Sequence, residues 1–163
     1  MAELKTLEDA LVDELEDILD SETQITQALP KLAQKATHPE LKAAFEEHLE
    51  QTKVHIQRLN QAFELLGKKP ASKTCEATKG LLKEGEDVMS EDATPDVMDA
   101  FLIAAAQKVE HYEIASYGTV CTWAEITGHE DVADLLGETL DEEEETNDKL
   151  TDLAESSINE DAL

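Results

Sequence analysis

Several residue types are scarce in this sequence of 163 residues. Aromatic residues make up 4 %, and there are six glycines, four prolines and two cysteines. A β-rich chain with many turns would need more aromatic residues, glycines and prolines, so an all-β fold is excluded. Two cysteines are too few for a disulfide framework, and we expect ordinary thiols. The abundant Ala, Leu, Glu and Lys favour helix.

Basic residues are also few. Thirteen Lys and Arg stand against 39 Asp and Glu, which gives a formal net charge of −26. Such a field repels phosphate groups, so we predict that the protein binds neither nucleic acid nor anionic membranes. No stretch approaches the ~18 apolar residues of a membrane span, and the first residues lack the pattern of a signal peptide. We therefore expect a cytoplasmic protein with a solvated acidic surface.

Apolar residues recur at spacings of three and four, which is typical of amphipathic helices. This pattern predicts four long helices, at about 3–36, 39–66, 95–126 and 129–156. The first and second helices are joined by a short turn, as are the third and fourth, so each pair should be antiparallel. The fold class is therefore an all-α helical bundle.

The segment 68–94 is too long for a hairpin and includes a weaker helical stretch at about 75–89. It could cross the full length of the bundle, as the long connection of ferritin-like folds does. We predict one domain over 1–157 and an acidic C-terminal tail at 158–163. The polar end of the chain, from Ser156, is expected to fray.

Each long helix carries polar residues near its middle, where its apolar stripe should continue. They are Glu22 in the first helix, His48, Thr52 and His55 with Gln51 nearby in the second, Glu110 and Glu113 in the third, and Glu143 with Glu142 on its edge in the fourth. In an antiparallel bundle the helix middles meet. Ionised carboxylates in a dry core cost several kcal/mol each unless they are protonated or share a cation. Two iron or manganese ions would resolve this conflict.

Each of these residues also has an alternative interpretation. Most of the four acids in the run 142–145 must be solvated, and Glu22 or Glu110 could be a hydrogen-bonded buried acid. A histidine on an apolar face can be an ordinary core residue, which applies to His48 and more strongly to His55. We interpret the remaining histidines as structural or surface residues and the tyrosines as core aromatics: His38, His111, His129, Tyr112 and Tyr117.

Four stretches of the chain closely resemble the YciE/YciF family of bacterial ferritin-like stress proteins. They are 21–24, 45–52, 104–118 and 138–143, of which the string from Val109 to Gly118 is the most specific. The resemblance implies a ferritin-like four-helix bundle, related to rubrerythrin and the Dps-type ferritins. Within that fold, the helical stretch at about 75–89 is the expected short extra helix in the long connection. The resemblance also implies a homodimer and a metal site drawn from Glu22, His48, Gln51, Glu110, Glu113 and Glu143, with Glu142 as the second choice in the fourth helix.

The sequence departs from the family pattern at Gln51, where relatives usually have Glu. A neutral amide offers an oxygen but no charge. His55, one turn away on the same face, could compensate through a shifted ligand set. The fourth helix also lacks a Glu-x-x-His motif, because Glu145 and Thr146 follow three residues after Glu142 and Glu143.

Three functions follow from these observations. The first is a di-metal stress-response protein with oxidase or peroxide-detoxifying activity. The alternative is a non-enzymatic dimeric stress or interaction protein, whose polar core residues form a network without a full metal centre. Iron storage in a larger cage is the third.

Overall fold

A computed structural model describes residues 4–163, and every element in this range is helical. The five main helices are α1 (Leu7–Lys35), α2 (Pro39–Leu65), α3 (Glu76–Met89), α4 (Pro95–Ile126) and α5 (Glu130–Leu153). A π-helical turn (Ala154–Ile158) and a last short helix, α6 (Asn159–Asp161), follow α5. The all-α prediction is confirmed, and α3 is the predicted extra helix in the long connection. None of the helices in the described range is long and apolar enough to cross a membrane.

Apolar side chains form two separate clusters at opposite ends of the bundle. One contains the C-terminal half of α1, the start of α2, the start of α4 and the end of α5. The other contains the opposite halves of the same four helices. Helices α1 and α5 therefore run in one direction, and α2 and α4 run in the other. Because α2 and α4 are parallel, the chain between them must return along the bundle, which α3 does while packing on α1 and α4.

The helix ends follow from local sequence. Thr6 and Asp9 form a capping box, in which Oγ1 of Thr6 accepts from the Asp9 amide at 3.1 Å and the Asp9 carboxylate accepts from the Thr6 amide at 2.9 Å. The predicted start at residue 3 lies outside the described residues, and Leu4 is not helical. At the ends of α2 and α4, Gly67 and Gly128 have φ values of +64° and +82°. Both glycines end their helices as predicted, because this conformation disfavours other residues.

Asp99 fixes the turn between α1 and α2. This buried side chain in the first turns of α4 accepts hydrogen bonds from the amides of Thr37 and His38, both at 2.8 Å, and from the Thr37 hydroxyl at 2.6 Å. It satisfies backbone donors that would otherwise be unpaired at the start of α2.

The C-terminus differs from the expected frayed tail. The chain stays helical through Asp161, and Ile158 is only 2 % exposed within the apolar cluster at that end of the bundle. The expectation of fraying from Ser156 is wrong because one apolar side chain in an otherwise polar segment is enough to hold the segment on the bundle.

Candidate metal centre

A layer of polar side chains lies between the two apolar clusters. Six of its members are 3 % exposed or less: Glu22, His48, His55, Glu110, Glu113 and Glu143. One comes from α1, two from α2, two from α4 and one from α5. The helical repeat explains why they meet. His48 and His55 are two turns apart and Glu110 and Glu113 are one turn apart, so each pair lies on one face of its helix.

The first of two donor groups surrounds His48. It comprises His48, Glu110, Glu113 and Glu143, each of which offers one ligand atom within 4.8 Å of the others. Nε2 of His48 lies 3.5 Å from Oε1 of Glu110 and 3.6 Å from Oε2 of Glu143. An imidazole nitrogen and three carboxylates are suited to iron or manganese.

The second donor group surrounds His55 and shares Glu143. Nδ1 of His55 lies 3.4 Å from Oε1 of Glu22 and 3.0 Å from Oε1 of Glu143. The two oxygens of Glu143 therefore face the two different histidines. This is the arrangement expected of a carboxylate that bridges two metal positions.

Eight polar atoms of this layer are buried without a hydrogen-bond partner in the described part of the chain. They are Oε2 of Glu22, Nε2 of His48, Nδ1 of His55, Oε2 of Glu110, and both carboxylate oxygens of Glu113 and Glu143. Buried polar groups are rarely left unpaired, because each costs roughly 1–3 kcal/mol. Four ionised carboxylates would carry a formal charge that two divalent cations cancel. The residues present thus fit a pair of divalent metal ions.

Crowding and burial raise the pKa values of three carboxyl groups. Burial, together with the charge of Glu143, raises the pKa of Glu110 and of Glu113 well above the ordinary value. Burial also raises the pKa of Glu22, against the opposing effect of His55. These acids therefore hold protons more tightly than exposed acids do.

His55 and Glu143 form the opposite case. Burial alone would lower the pKa of His55, but the carboxylates of Glu143 and Glu22 outweigh it and raise the pKa to about 10. Burial pushes the pKa of Glu143 upward, yet His55 holds it below the ordinary value. A protonated His55 would therefore partly compensate the buried negative charge.

Glu142 supports the layer from outside. Its Oε2 lies 2.7 Å from Nε2 of His55, and Arg58 donates to both of its oxygens at 2.7 and 3.1 Å. The hydrogen bond with Arg58 lowers the pKa of Glu142, so it is an ionised acceptor. An acceptor at Nε2 keeps the proton of His55 on that nitrogen and leaves Nδ1 directed at Glu22 and Glu143. Groups that hydrogen-bond to metal-binding histidines from outside the site act in the same way.

Gln51 contacts the layer through His48. Its Oε1 lies 3.3 Å from Nδ1 of His48, and Oγ1 of Thr146 is 3.4 Å from the same nitrogen. An amide oxygen can only accept, so Nδ1 carries the proton in this pair and Nε2 is available to the first group. On the other side of the layer, Tyr117 donates to Oε1 of Glu22 at 2.5 Å.

The structure brings together most of the residues that the sequence singled out. Of these, Glu22, His48, Glu110, Glu113 and Glu143 share the layer, whereas Glu142 and Gln51 contact its histidines. His55, which the sequence pattern favoured less strongly as a ligand, lies at the centre of the second group. Arg58 was missed, because a single arginine on a helix gives no sign of its partner in another helix.

The other histidines and the tyrosines lie where they were expected, apart from one hydroxyl cluster. His111 is exposed, His38 and His129 precede α2 and α5, and Tyr117 is fully buried. Tyr112 is half-buried, and its hydroxyl lies 2.9 Å from a carboxylate oxygen of Asp17 and 3.1 Å from Sγ of Cys75.

A bundle of this topology, with carboxylates and imidazoles from its four long helices meeting in the middle, defines a ferritin-like protein. The family described as a domain of unknown function, DUF892, matches residues 6–163. The chain therefore belongs to the DUF892 family. Its resemblance to the YciE/YciF proteins is also confirmed, because Protein YciF of Escherichia coli (strain K12) is 46 % identical over 160 residues, which is 98 % of this chain and 96 % of YciF.

Solved structures agree with this assignment. The crystal structure of the E. coli stress protein YciF matches with a TM-score of 0.93 and covers 96 % of this chain and 99 % of that chain. YcfI from Rhodopseudomonas palustris is 46 % identical, with a TM-score of 0.89 and coverage of 91 % and 95 %. A two-domain protein from Anabaena variabilis, with a DJ-1/ThiJ/PfpI-like and a ferritin-like domain, covers 95 % of this chain and 38 % of its own. At 21 % identity and a TM-score of 0.66, the last shows the fold alone.

Proposed function

We propose that this homologue of a stress protein holds two iron or manganese ions in its polar layer and acts as an oxidase or in peroxide detoxification. The supporting observation is a set of eight buried nitrogen and oxygen atoms that lack a hydrogen bond and converge from four helices. His48, Glu110 and Glu113 would hold one ion and Glu22 and His55 the other, with Glu143 shared. Bound redox-active metal ions would supply electrons for the reduction of oxygen or peroxide.

The surrounding residues would keep the donors in position. Glu142, itself held by Arg58, keeps the proton of His55 on Nε2, and Gln51 accepts the proton on Nδ1 of His48. With metal bound, both imidazoles would present an unprotonated nitrogen to the ions. The apolar clusters on either side exclude water, which strengthens the attraction between buried carboxylates and cations.

Metal analysis tests this proposal. Protein purified from cells supplied with iron and manganese should contain close to two metal ions per chain. Glu143→Gln should lose most of this metal because both groups share Glu143, whereas Glu144→Gln, at the exposed neighbouring position, should retain it. Wild-type protein that is metal-free and also fails to take up added Fe(II) would overturn the proposal.

The proposed reaction needs its own measurement. Wild-type protein loaded with Fe(II) should consume hydrogen peroxide or oxygen faster than an equal concentration of free Fe(II), and Glu143→Gln should not. If the wild-type protein binds two metal ions but consumes neither oxidant, the metal site stands and the oxidase and peroxide proposals fail.

The non-enzymatic alternative has one observation in its favour. His55, with a pKa of about 10, can place a positive charge between Glu22 and Glu143 and so stabilise the layer without metal. Under this alternative, Glu22→Ala and Glu110→Ala should leave assembly and partner binding intact.

We also propose a homodimer, as the family resemblance implies. A dimer-sized mass by light scattering would exclude the storage cage.

A further inference from the structure

A pocket of about 210 Å³ between α2 and α5 opens onto the His48 side of the polar layer. His48 and Glu110, both 3 % exposed, form part of its wall, and Nε2 of His48 and Oε2 of Glu110 lack hydrogen-bond partners. Gln51 and Thr146 line the pocket on the other side of the imidazole. The ring of His48 therefore stands between the pocket and the candidate metal positions.

The His55 side of the layer is closed by comparison. Glu22 and His55 are 0 % exposed, and Tyr117, also 0 % exposed, covers Glu22. The ion pair of Arg58 with Glu142 covers Nε2 of His55. A larger groove of about 330 Å³, among α1, α3 and α4, has none of the six layer residues in its lining.

The mouth of the pocket carries negative charge. Glu47, Glu145 and Lys149 are exposed and line it. Lys149 pairs with Glu47, so the three exposed side chains give the mouth a net charge of −1, which Glu145 supplies. The field here favours the approach of a positive ion.

We propose that this pocket is the route by which hydrated divalent cations reach the buried layer. The net negative charge that Glu47, Glu145 and Lys149 give the mouth attracts the ion, and His48 receives it. The inference rests on the proposed metal centre and adds which face of the bundle the metal crosses. If metal enters by this route, the mouth carboxylates set the rate of metal uptake, whereas the layer residues set how much metal is bound.

The test measures Co(II) loading of the metal-free protein by stopped-flow absorption at low ionic strength. The variant is Glu47→Lys combined with Glu145→Lys. The matched control is Glu50→Lys combined with Glu144→Lys, which makes the same charge change at exposed positions of the same two helices outside the pocket. We expect the mouth variant to load about tenfold more slowly and the control to change by about twofold or less, because electrostatic steering changes association rates by 10-fold or more. Added salt should shrink the difference.

The outcomes separate the inference from the proposed function. Equal final loading of about two Co(II) per chain in all three proteins, with slow loading only in the mouth variant, supports both. Equal loading rates in the mouth variant and the wild type, or equal slowing in the control, overturn the access route and leave the metal centre intact. Wild-type protein that binds no Co(II) contradicts the proposed function itself.

Discussion

Glu142 and Glu143 are adjacent in the chain and have different surroundings. Glu143 is fully buried between the two histidines, whereas the side chain of Glu142 is 29 % exposed and pairs with Arg58. Successive residues in a helix point about 100° apart, so only one of them can face the bundle axis directly. The sequence favoured Glu143 from its spacing. The role of Glu142 could not be predicted, because it depends on the position of α2 beside α5.

We expect Glu142→Gln to weaken metal binding without unfolding the protein. A neutral amide can still accept from His55, but it loses the ion pair with Arg58 and polarises the imidazole less. We expect an affinity loss of about 10- to 100-fold, as is typical of outer partners of metal ligands. Competition with a chelator measures it. Asp141→Asn, an exposed neighbouring substitution, is the control and should bind as the wild type does.

Gln51→Glu should have the opposite effect. A carboxylate at position 51 would add negative charge next to His48 and accept its Nδ1 proton more strongly than an amide does. We expect tighter or fuller metal binding in the same chelator competition. Gln57→Glu, an exposed position on the same helix, controls for the added charge. Unchanged affinity in Gln51→Glu would show that position 51 neither holds metal nor influences His48.

At the scale of helices, periodicity predicted the bundle well. The four long helices lie within a few residues of their predicted ends, and Gly67 and Gly128 end α2 and α4 as expected. The predicted helix ends differ from the observed ones where the contacts of a single side chain determine where a helix starts or ends. The start of α1 is set by the Thr6–Asp9 capping box, and the C-terminal tail is held by Ile158. Such contacts are specific to one position, so composition and periodicity do not reveal them.

Asp99 is the clearest contact of this kind between helices. In the sequence it is one more acid near the start of a helix, where acids are common. In the fold it is 2 % exposed and accepts three hydrogen bonds from Thr37 and His38. It therefore joins α4 to the α1–α2 turn.

Asp99→Asn should destabilise the protein. An amide retains one acceptor oxygen but loses the charge and places an NH₂ group against backbone donors. We expect the free energy of unfolding to fall by about 1–3 kcal/mol, measured by urea denaturation. Asp92→Asn, in the exposed segment before α4, should change it by about 0.5 kcal/mol or less. Equal stability of the two variants would show that the Asp99 contacts contribute little.

At the scale of the whole molecule, the bundle has apolar ends and a polar middle. The sequence predicted this layer because every long helix interrupts its apolar stripe near its centre. It could not predict how the donors divide into two groups around Glu143, or that His55 belongs to one of them. That division depends on the axial register of α1, α2, α4 and α5, which only their packing sets.

The polar layer makes the stability of chelator-treated protein depend on pH. His55 has a pKa of about 10 in the fold and 6.5 without its partners, so its stabilising contribution is complete below pH 6.5 and is lost as the pH rises to about 10. The raised pKa values of Glu110 and Glu113 act in the same direction, since their ionisation in the buried layer is unfavourable. Stability should therefore fall as the pH rises, and the part that His55 contributes should be lost between about pH 6.5 and about 10.

Thermal melting in the presence of a chelator measures this effect. We expect the melting temperature to fall by several degrees over that range, since 1 kcal/mol corresponds to about 2–4 °C for a protein of this size. His55→Gln should flatten the dependence, and His111→Gln, at an exposed position, should not. A wild-type melting temperature that stays constant or rises over the range would contradict the assigned surroundings of His55.

Anomalous X-ray diffraction from crystals of the protein grown with Mn(II) would show directly whether the polar layer holds two metal ions. We expect two manganese peaks inside each bundle on either side of Glu143, one beside His48 with Glu110 and Glu113 and the other beside Glu22 with His55. Well-ordered crystals with saturating Mn(II) and no peak in the polar layer would contradict the proposed metal centre.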